Sequence, residues 1–392
     1  MIPESRSSRS SLVEPHITPY PLVIAVSCGW SASSLPSMLW LLSLSLGLGL
    51  SPQGVTQLQC SPARTAARCA QLHCTWCPTL SGAGACTALP QCPPSLLSPK
   101  SPWPAAQQPG EATAPAPSVS TPCDGSPASA ALPAAECAGW QDFHGGTNGT
   151  NWQFGCQHSF ADPCNCSYTV QGLPAGVTCE DGHITSLQFA FNGLQGALSD
   201  SLGDLSHVTS FVACGNGALA GSLPASMVQN MAGLTELDVS GCAMTGTIPD
   251  VSSLTQLFSL TLYDNFFQGT LPSVSAGMRM LANFALDHNA LTGAIPDSLA
   301  SAPSLYGIVL GSNQLSGTVP ASIAQCRKLQ VLSLEDNALD GVPPALPWAQ
   351  FDAMCDLTNN NFTCPCKNAT ACAADANWMS ARKHCNASCH YA

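Results

Sequence analysis

The feature that most constrains this chain is a repeat of about 24 residues between Ile184 and Thr363. Its pattern is LxxLxLxxNxLxGxxPxxL. The position of the asparagine sets the register, and it is occupied in turn by Asn192, Asn216, Cys242, Asn265, Asn289, Asn313, Asn337 and Asn360. Successive positions lie 24, 26, 23, 24, 24, 24 and 23 residues apart. A fixed period of this length indicates a solenoid.

Each repeat reads as a short strand followed by a tight return. In the xLxLx stretch the apolar residues alternate with a period of two, so they point to one face of a strand and their neighbours point to the other. The asparagine follows at a turn, where its amide can bond backbone groups that the strand no longer satisfies. The glycine allows a bend, and the proline after it starts the return segment. One repeat buries too little to fold alone, so stacked neighbours must share a core.

The full pattern LxxLxLxxNxLxGxIPxxL resembles the plant-type class of leucine-rich repeats, which occur in extracellular receptor domains and polygalacturonase-inhibitor-like proteins. About seven repeats fit it, beginning near Ile184, Val208, Leu234, Leu257, Leu281, Leu305 and Leu329. The resemblance implies an α/β-type repeat solenoid. It also implies a right-handed superhelix with a parallel sheet on its concave side and a second, short sheet from the LxGxIP segments.

The residues before the repeats resemble the amino-terminal cap of the same class. The matching elements are FxxxTNGxNW, DPC and GVTC, which begin here at Phe143, Asp162 and Gly176. The class usually has a tryptophan before GVxC, where this chain reads LPAGVTC. A cap is required physically, because the first repeat would otherwise expose one face of the core.

Composition narrows the classes of function. Charged residues make up only 9% of the chain and the formal net charge is −12. An acidic chain of this kind has no basic patch to neutralise phosphates, so nucleic acid is not an expected partner. Twenty-two cysteines are too many for a reducing compartment. The protein is therefore expected to be secreted or displayed at the cell surface.

The patterns divide the chain into six segments. These are a leader and signal peptide over 1–54, a small cysteine-rich module over 55–92, a disordered Pro/Ala/Ser/Thr-rich stalk over 93–136, the amino-terminal cap over 137–183, the repeats over 184–354, and a truncated repeat with a carboxy-terminal cap over 355–392. The apolar run from Met38 to Leu50 has the length of a signal-peptide core, which makes Met38 the expected start. An uncleaved anchor is the alternative. No apolar tail follows the last cap, so no carboxy-terminal span or GPI anchor is expected.

Disulfides are expected in the module and in both caps. The candidates are Cys60, Cys69, Cys74, Cys77, Cys86, Cys92, Cys137, Cys156, Cys164, Cys166, Cys179, Cys355, Cys364, Cys366, Cys372, Cys385 and Cys389. The CTWC step of the module resembles a PSI-type module of cell-surface proteins. A zinc site there is the alternative, but no second CxxC pair accompanies it. Sequons predict glycosylation at Asn148, Asn165, Asn361, Asn368 and Asn386.

The candidate binding site is the outward side of the strands. Its residues are Phe191, Glu236, Asp238, Thr261, Tyr263, Asp264, Asp287, His288, Glu335 and Asp336. The six carboxylates have no Lys or Arg among them, which favours a basic or polyhydroxylated ligand with the aromatic residues as platforms. A second interpretation is that the acids only keep the surface soluble. Asp238, Asp264 and Asp287 are expected to stack on successive repeats.

The sequence favours a binding protein over an enzyme. His288 near Asp264 is half of a base–orienter arrangement, but no nucleophile motif, HExxH or phosphate loop accompanies it. No cofactor and no metal are expected. The predicted function is recognition of a protein, peptide or glycan through the concave face. The alternatives are a structural wall or matrix protein, a receptor-like ectodomain held by an uncleaved anchor, and an inhibitor of a secreted polysaccharide-degrading enzyme.

Overall fold

The computed structural model describes residues 122–170, 173–351, 354–365, 375–385 and 387–390, together with two short strands near the amino terminus. The chain divides into two units, Met1–Pro99 and Lys100–Ala392. In the first unit, β1 (Thr75–Pro78) and β2 (Gly84–Thr87) form an antiparallel pair in which Trp76 lies opposite Cys86. Several predictions concern residues outside those that the structure describes, namely the leader and residues 93–121. They also include the sequons at Asn368 and Asn386 and the disulfide candidates Cys60, Cys69, Cys74, Cys92, Cys366 and Cys372.

The second unit is built on a ten-stranded sheet. Its strands are β3 (Ser167–Val170), β4 (Leu173–Glu180), β5 (His183–Gln188), β7 (Ser210–Val212), β9 (Glu236–Asp238), β11 (Ser259–Thr261), β13 (Asn283–Ala285), β15 (Gly307–Val309), β17 (Val331–Ser333) and β19 (Met354–Asp356). From β5 to β19 every pair is parallel, with one strand from each repeat. The antiparallel strands β3 and β4 belong to the cap and close one edge.

A second layer of short strands follows the asparagine in each repeat. One sheet contains β6 (Gln195–Ala197), β8 (Ala218–Ser222) and β10 (Ala243–Thr245), and the other contains β12 (Gln268–Gly269), β14 (Ala290–Gly293), β16 (Gln314–Thr318) and β18 (Ala338–Asp340). A single parallel bridge between Thr247 and Gln268 links the two. These strands are the LxGxIP segments, as the resemblance implies.

The leucines of the pattern lie between the two layers. Leu237, Leu260 and Leu332 of the ten-stranded sheet are fully buried, as are Leu291 and Leu315 of the second layer. The return segments close the core with α3 (Ala225–Asn230) and with 3₁₀ turns at Asp200–Asp204, Asp297–Ser301 and Ala321–Gln325. Together these features make a leucine-rich repeat solenoid, which confirms the predicted fold class.

The asparagines join successive repeats. Asn313 donates from Nδ2 to the carbonyl oxygens of Leu286, one repeat earlier, and of Leu310, at 3.0 and 3.2 Å. Its Oδ1 accepts from the backbone nitrogen of Leu291 at 3.0 Å. Asn216, Asn265, Asn289 and Asn360 repeat this arrangement. Each amide therefore satisfies backbone groups of two neighbouring turns at once.

Aromatic packing and disulfides hold the amino-terminal cap. The cap contains helices α1 (Pro127–Ala130) and α2 (Ala134–Gly146). The bridge Cys123–Cys137 ties α2 to the preceding segment, and Cys156–Cys166 and Cys164–Cys179 join segments after the helices. Trp140, Phe143 and Trp152 pack against Phe189 of the first repeat. The folded region therefore begins before residue 137, and residues 122–136 of the expected stalk belong to the cap.

The carboxy-terminal cap closes the other end. Helix α4 (Ala376–Cys385) carries one partner of the bridge Cys355–Cys385, and a second bridge joins Cys364 to Cys389. Trp348 covers the last repeat, where its indole nitrogen donates to Asn377 Oδ1 at 2.8 Å. Over the part of the chain that the structure describes, no helix is long and apolar enough to cross a membrane.

The asparagine positions give a direct stability test. Substitution Asn313→Ala leaves buried backbone groups of two repeats without partners, so we expect it to lower the free energy of unfolding by about 2–4 kcal/mol. Cys242 is a matched control in the same slot, because its thiol only reaches the carbonyl oxygens of Ala213 and Ser240 at 3.3 and 3.6 Å. Substitution Cys242→Ala should cost about 1 kcal/mol. Equal losses in denaturant unfolding would contradict this role of the asparagines.

Candidate functional site

The outward residues of the ten-stranded sheet form parallel rows, which together we call the sheet face. The strand-start row runs through Glu236, Ser259, Asn283, Gly307 and Val331. The strand-end row runs through Asp238, Thr261, Ala285, Val309, Ser333 and Asp356. Two residues beyond each strand comes the turn row, which contains Ser240, Tyr263, Asp287, Gly311, Glu335 and Thr358, whose carbonyl oxygens continue the backbone ladder.

The expected stack of three aspartates does not form. Asp238 belongs to the strand-end row, where its lateral neighbour is Thr261. Asp287 belongs to the turn row, and Asp264 lies one residue beyond that row, at a left-handed backbone position with φ of 52°. The three carboxylates therefore lie in different rows, because one-residue differences in repeat position change the direction of a side chain.

Glu236 and Asp238 are adjacent acids with hydroxyl partners. Glu236 Oε2 accepts from Ser210 Oγ at 2.7 Å, and Ser210 in turn accepts from Gln188 Nε2 at 2.7 Å. Asp238 Oδ1 accepts from the backbone nitrogen and the hydroxyl of Ser240 at 2.9 and 2.6 Å. Asp238 is only 4% exposed, contrary to its expected position in open solvent. Burial raises the pKa of Glu236 to about 7 and that of Asp238 to about 6.

Asp356 repeats the arrangement of Asp238 on the last strand. Its Oδ1 accepts from the backbone nitrogen and the hydroxyl of Thr358 at 2.9 and 2.7 Å. The sequence analysis missed Asp356 because it falls in the truncated repeat, where the leucine pattern is weak. The shared signal is an aspartate at the end of a strand with Ser or Thr two residues later.

Asp287 and His288 form the closest acid–histidine contact of the sheet face. His288 Nδ1 lies 2.8 Å from Asp287 Oδ2 and 4.0 Å from Asp264 Oδ1. Burial raises the pKa of Asp287 and the nearby carboxylate of Asp264 raises it further, while the hydrogen bond with His288 opposes the rise. His288 does approach Asp264, but its direct partner is the residue before it in the chain.

Glu335 extends along the sheet over a glycine. A side chain at Gly311 would collide with the carboxylate of Glu335. Ser333 donates its hydroxyl to Glu335 Oε2. Burial raises the pKa of Glu335, and the carboxylates of Asp356 and Asp287 raise it further. Gly311 has no side chain, and the carboxylate of Glu335 takes its space in the turn row, one strand from Asp287.

The aromatic candidates lie apart from one another. Tyr263 is half-buried among the acids, where it shares a hydrogen bond with the side chain of Ser240. Burial raises its pKa, and the carboxylates of Asp238, Asp287 and Asp264 raise that pKa further. Phe191 is 45% exposed and lies over Gly215, three repeats away from Tyr263. Phe266, an exposed side chain just after Asn265, was not among the candidates.

The two remaining candidate residues, Thr261 and Asp336, each make a hydrogen bond to a nearby side chain. Thr261 is buried and shares a hydrogen bond with Ser259 at 3.0 Å. Asp336 is exposed and accepts from Asn359 Nδ2 at 2.7 Å.

The sequon residues Asn165 and Asn361 are exposed and Asn148 is partly exposed, so glycosylation at these positions stays a prediction.

The geometry of the sheet face suits binding of a cation. Its carboxylates accept hydrogen bonds from Ser and Thr hydroxyls, which leave their charge in place. The basic residues of 184–360 are Arg279, Arg327 and Lys328, and all three belong to return segments. Lys328 Nζ, for example, lies 3.4 Å from Ser304 Oγ on the outer surface. A positive group from outside is the natural complement to these acids.

Comparison with known proteins finds likenesses among solved structures only. No protein-family profile matches the chain, and no curated protein sequence matches it. Among solved structures, the leucine-rich repeat ectodomain of the Arabidopsis thaliana receptor kinase GASSHO1/SCHENGEN3 is 24% identical over 53% of this chain and 30% of its own, with a TM-score of 0.41. This chain also covers only 35% and 37% of two further receptors, TDR and RGFR1, and so spans about a third of the length of these three structures.

Two shorter proteins are covered more fully. Pollen Receptor Kinase 3 is 27% identical over 45% of this chain and 83% of its own, with a TM-score of 0.38. A plant ice-binding protein is 20% identical over 59% of this chain and 81% of its own, with a TM-score of 0.43.

The raised pKa values of Glu236 and Asp238 make stability depend on pH. Both lie above the values of an unfolded chain, so the folded state binds more protons between about pH 4 and 7. The free energy of unfolding should therefore fall as pH rises from 5 to 8, by about 1–3 kcal/mol for each acid. Substitutions Glu236→Gln and Asp238→Asn keep an oxygen acceptor and should flatten this part of the profile. An equally steep fall in the free energy of unfolding in the parent and in the substituted protein would contradict the raised pKa values of these two acids.

Proposed function

We propose that this protein recognises a protein or peptide partner through the sheet face, and that the partner places a Lys or Arg side chain between Asp287 and Glu335. The single observation that supports this most strongly is that the carboxylate of Glu335 lies over Gly311, one strand from Asp287. Two partly buried carboxylates therefore approach each other where the turn row has no side chain of its own. The sheet face remains the proposed binding surface, and the predicted site narrows from ten residues to this pair of acids.

Distances along the sheet fit one cationic group. Neighbouring strands lie about 4.8 Å apart, so Asp287 and Glu335, two strands from each other, begin about 10 Å apart at their backbones. Glu335 spans part of this distance, since its carboxylate lies over Gly311. A planar guanidinium group has donors on several sides and can bond two carboxylates at once. An ammonium group would also fit, with fewer directed hydrogen bonds.

Electrostatics supports the same conclusion. The pKa values of Asp287 and Glu335 are raised because burial and neighbouring acids disfavour their charged forms. An arriving cation favours the charged forms and so offsets that cost. Half-buried Tyr263 lies among the same acids and offers the stem of the entering side chain an apolar surface. Binding should therefore lower the pKa values of both acids.

The setting of this recognition is proposed to be outside the cell. Five disulfides join described residues to one another, three in the amino-terminal cap and two in the carboxy-terminal cap, and Cys214 is also disulfide-bonded. Such bonds form and persist in oxidising compartments.

A peptide-selection experiment tests the proposal. A random peptide library is panned on the full-length protein, and the selected peptides are measured against the double variant Asp287→Asn/Glu335→Gln. We expect the selected peptides to contain Arg or Lys and to bind the double variant at least about tenfold more weakly, which corresponds to about 1.4 kcal/mol. Both substitutions keep the side-chain size, so the sheet should be unchanged.

The matched control removes two charges elsewhere. Asp250 and Asp340 are exposed acids outside the sheet face, and Asp250→Asn/Asp340→Asn should leave peptide affinity unchanged. Equal weakening by both double variants would show that net charge, and not the pair Asp287 and Glu335, controls binding. Selected peptides without a basic residue would contradict the proposal and would favour an aromatic or glycan site instead.

A further inference from the structure

A cluster of metal-binding side chains lies at the junction between the amino-terminal cap and the repeats. Glu136 comes from the first turn of α2, His183 is the first residue of β5, and His207 precedes β7. Glu136 Oε1 lies 2.6 Å from His183 Nδ1 and 3.0 Å from His207 Nδ1. One ligand atom from each residue can be chosen so that all three lie within 4.8 Å of one another.

The carboxylate at the centre of the cluster is fixed in orientation. Glu136 is only 3% exposed, and its Oε2 accepts from the backbone nitrogen of Ile184 at 2.9 Å. That hydrogen bond leaves Oε1 directed at the two histidines. Hydrogen bonds of this kind hold a ligand in the orientation that a metal needs. The outer side of the cluster is open, since the side chains of His183 and His207 are 32% and 51% exposed.

The two imidazole rings stack face to face. Their centroids lie 3.6 Å apart and their planes differ by 21°. Both Nδ1 atoms are directed at the same carboxylate oxygen. A divalent ion can bind the Nδ1 lone pair of each neutral ring together with the charged carboxylate.

We infer that Glu136, His183 and His207 form a zinc site that ties the cap helix to the first two repeats. Imidazole nitrogen and carboxylate oxygen are ordinary zinc ligands, at about 2.0–2.2 Å, and a tetrahedral ion separates its ligand atoms by about 3.4 Å. The two Nδ1–Oε1 distances need to widen by less than about 1 Å, and the partly exposed rings can rotate to allow it. Water can take the fourth position on the open side, as in other three-ligand zinc sites.

The inference is independent of the proposed recognition at Gly311. It concerns the opposite end of the repeat array, and it joins segments that are 47 and 71 residues apart in the chain. A bound ion would link α2 directly to the starts of two repeats. Because the ion binds the folded cap and not the separated segments, it should raise the stability of this end.

Zinc binding to the full-length protein tests the inference. Chelator-stripped protein is titrated with ZnCl₂, and with CoCl₂, whose visible absorption reports a nitrogen- and oxygen-ligated tetrahedral ion. Substitution His207→Ala removes a half-exposed ligand with little effect on packing, and Glu136→Gln keeps the acceptor for Ile184 while it removes the charge. We expect each to weaken zinc binding by at least about tenfold and to abolish the cobalt spectrum. Zinc should raise the Tm of the parent protein and not of either variant.

A matched control distinguishes this site from adventitious binding. His158 is an exposed histidine of the same cap, outside the cluster, and His158→Ala should bind zinc like the parent. If the stripped parent protein binds no zinc, or if His207→Ala and Glu136→Gln bind it as tightly as the parent does, the cluster is only a hydrogen-bonded contact and the inference is wrong. The parent titration alone decides this if a variant fails to fold.

Discussion

The hydrogen bonds of the buried asparagines are the constraint on which the other features depend. An amide such as that of Asn289 bonds Leu262 O of the preceding repeat, Leu286 O of its own and the backbone nitrogen of Phe267, all within 3.2 Å. From Asn216 onward, each repeat that carries the asparagine is thereby held one strand spacing from the last, so outward side chains fall into straight rows. Cys242 takes the slot where the spacing is irregular. The second layer is also divided just beyond that repeat, between β10 and β12.

These rows explain why acids on the sheet face can be buried without basic partners. A strand-end aspartate lies beside the hydroxyl two residues later, as for Asp238 with Ser240 and Asp356 with Thr358. Hydroxyl and backbone donors satisfy hydrogen-bonding capacity but do not neutralise charge. The raised pKa of Glu236 and of Asp287 expresses the remaining electrostatic cost. Because the rows of the solenoid are rigid, the acids cannot move apart, and the electrostatic cost persists until a complementary charge binds.

The repeat period predicted the fold because leucine and asparagine positions are decided by local geometry. The binding site was predicted only in part, since the direction of each side chain depends on its exact place in the repeat and on its neighbours, which the leucine pattern does not specify. Asp264 was placed in the wrong row because it lies one residue beyond the turn row, and Glu335 reaches towards Asp287 because Gly311 leaves room. His183 and His207 are 24 residues apart (207 − 183), one repeat period, which could have revealed their stacking. Glu136 was hidden by the stalk-like composition around it.

The central claim is that the sheet face holds carboxylates in an unfavourable charged state that a cationic partner relieves. Carboxyl ¹³C NMR of Asp- and Glu-labelled protein, followed through a pH titration, measures this directly. The account predicts a midpoint near 7 for Glu236 and near 6 for Asp238, with Asp287 and Glu335 also above their ordinary range. A selected Arg-containing peptide should lower the midpoints of Asp287 and Glu335. Ordinary midpoints of about 4 for all four acids in the free protein would contradict the account.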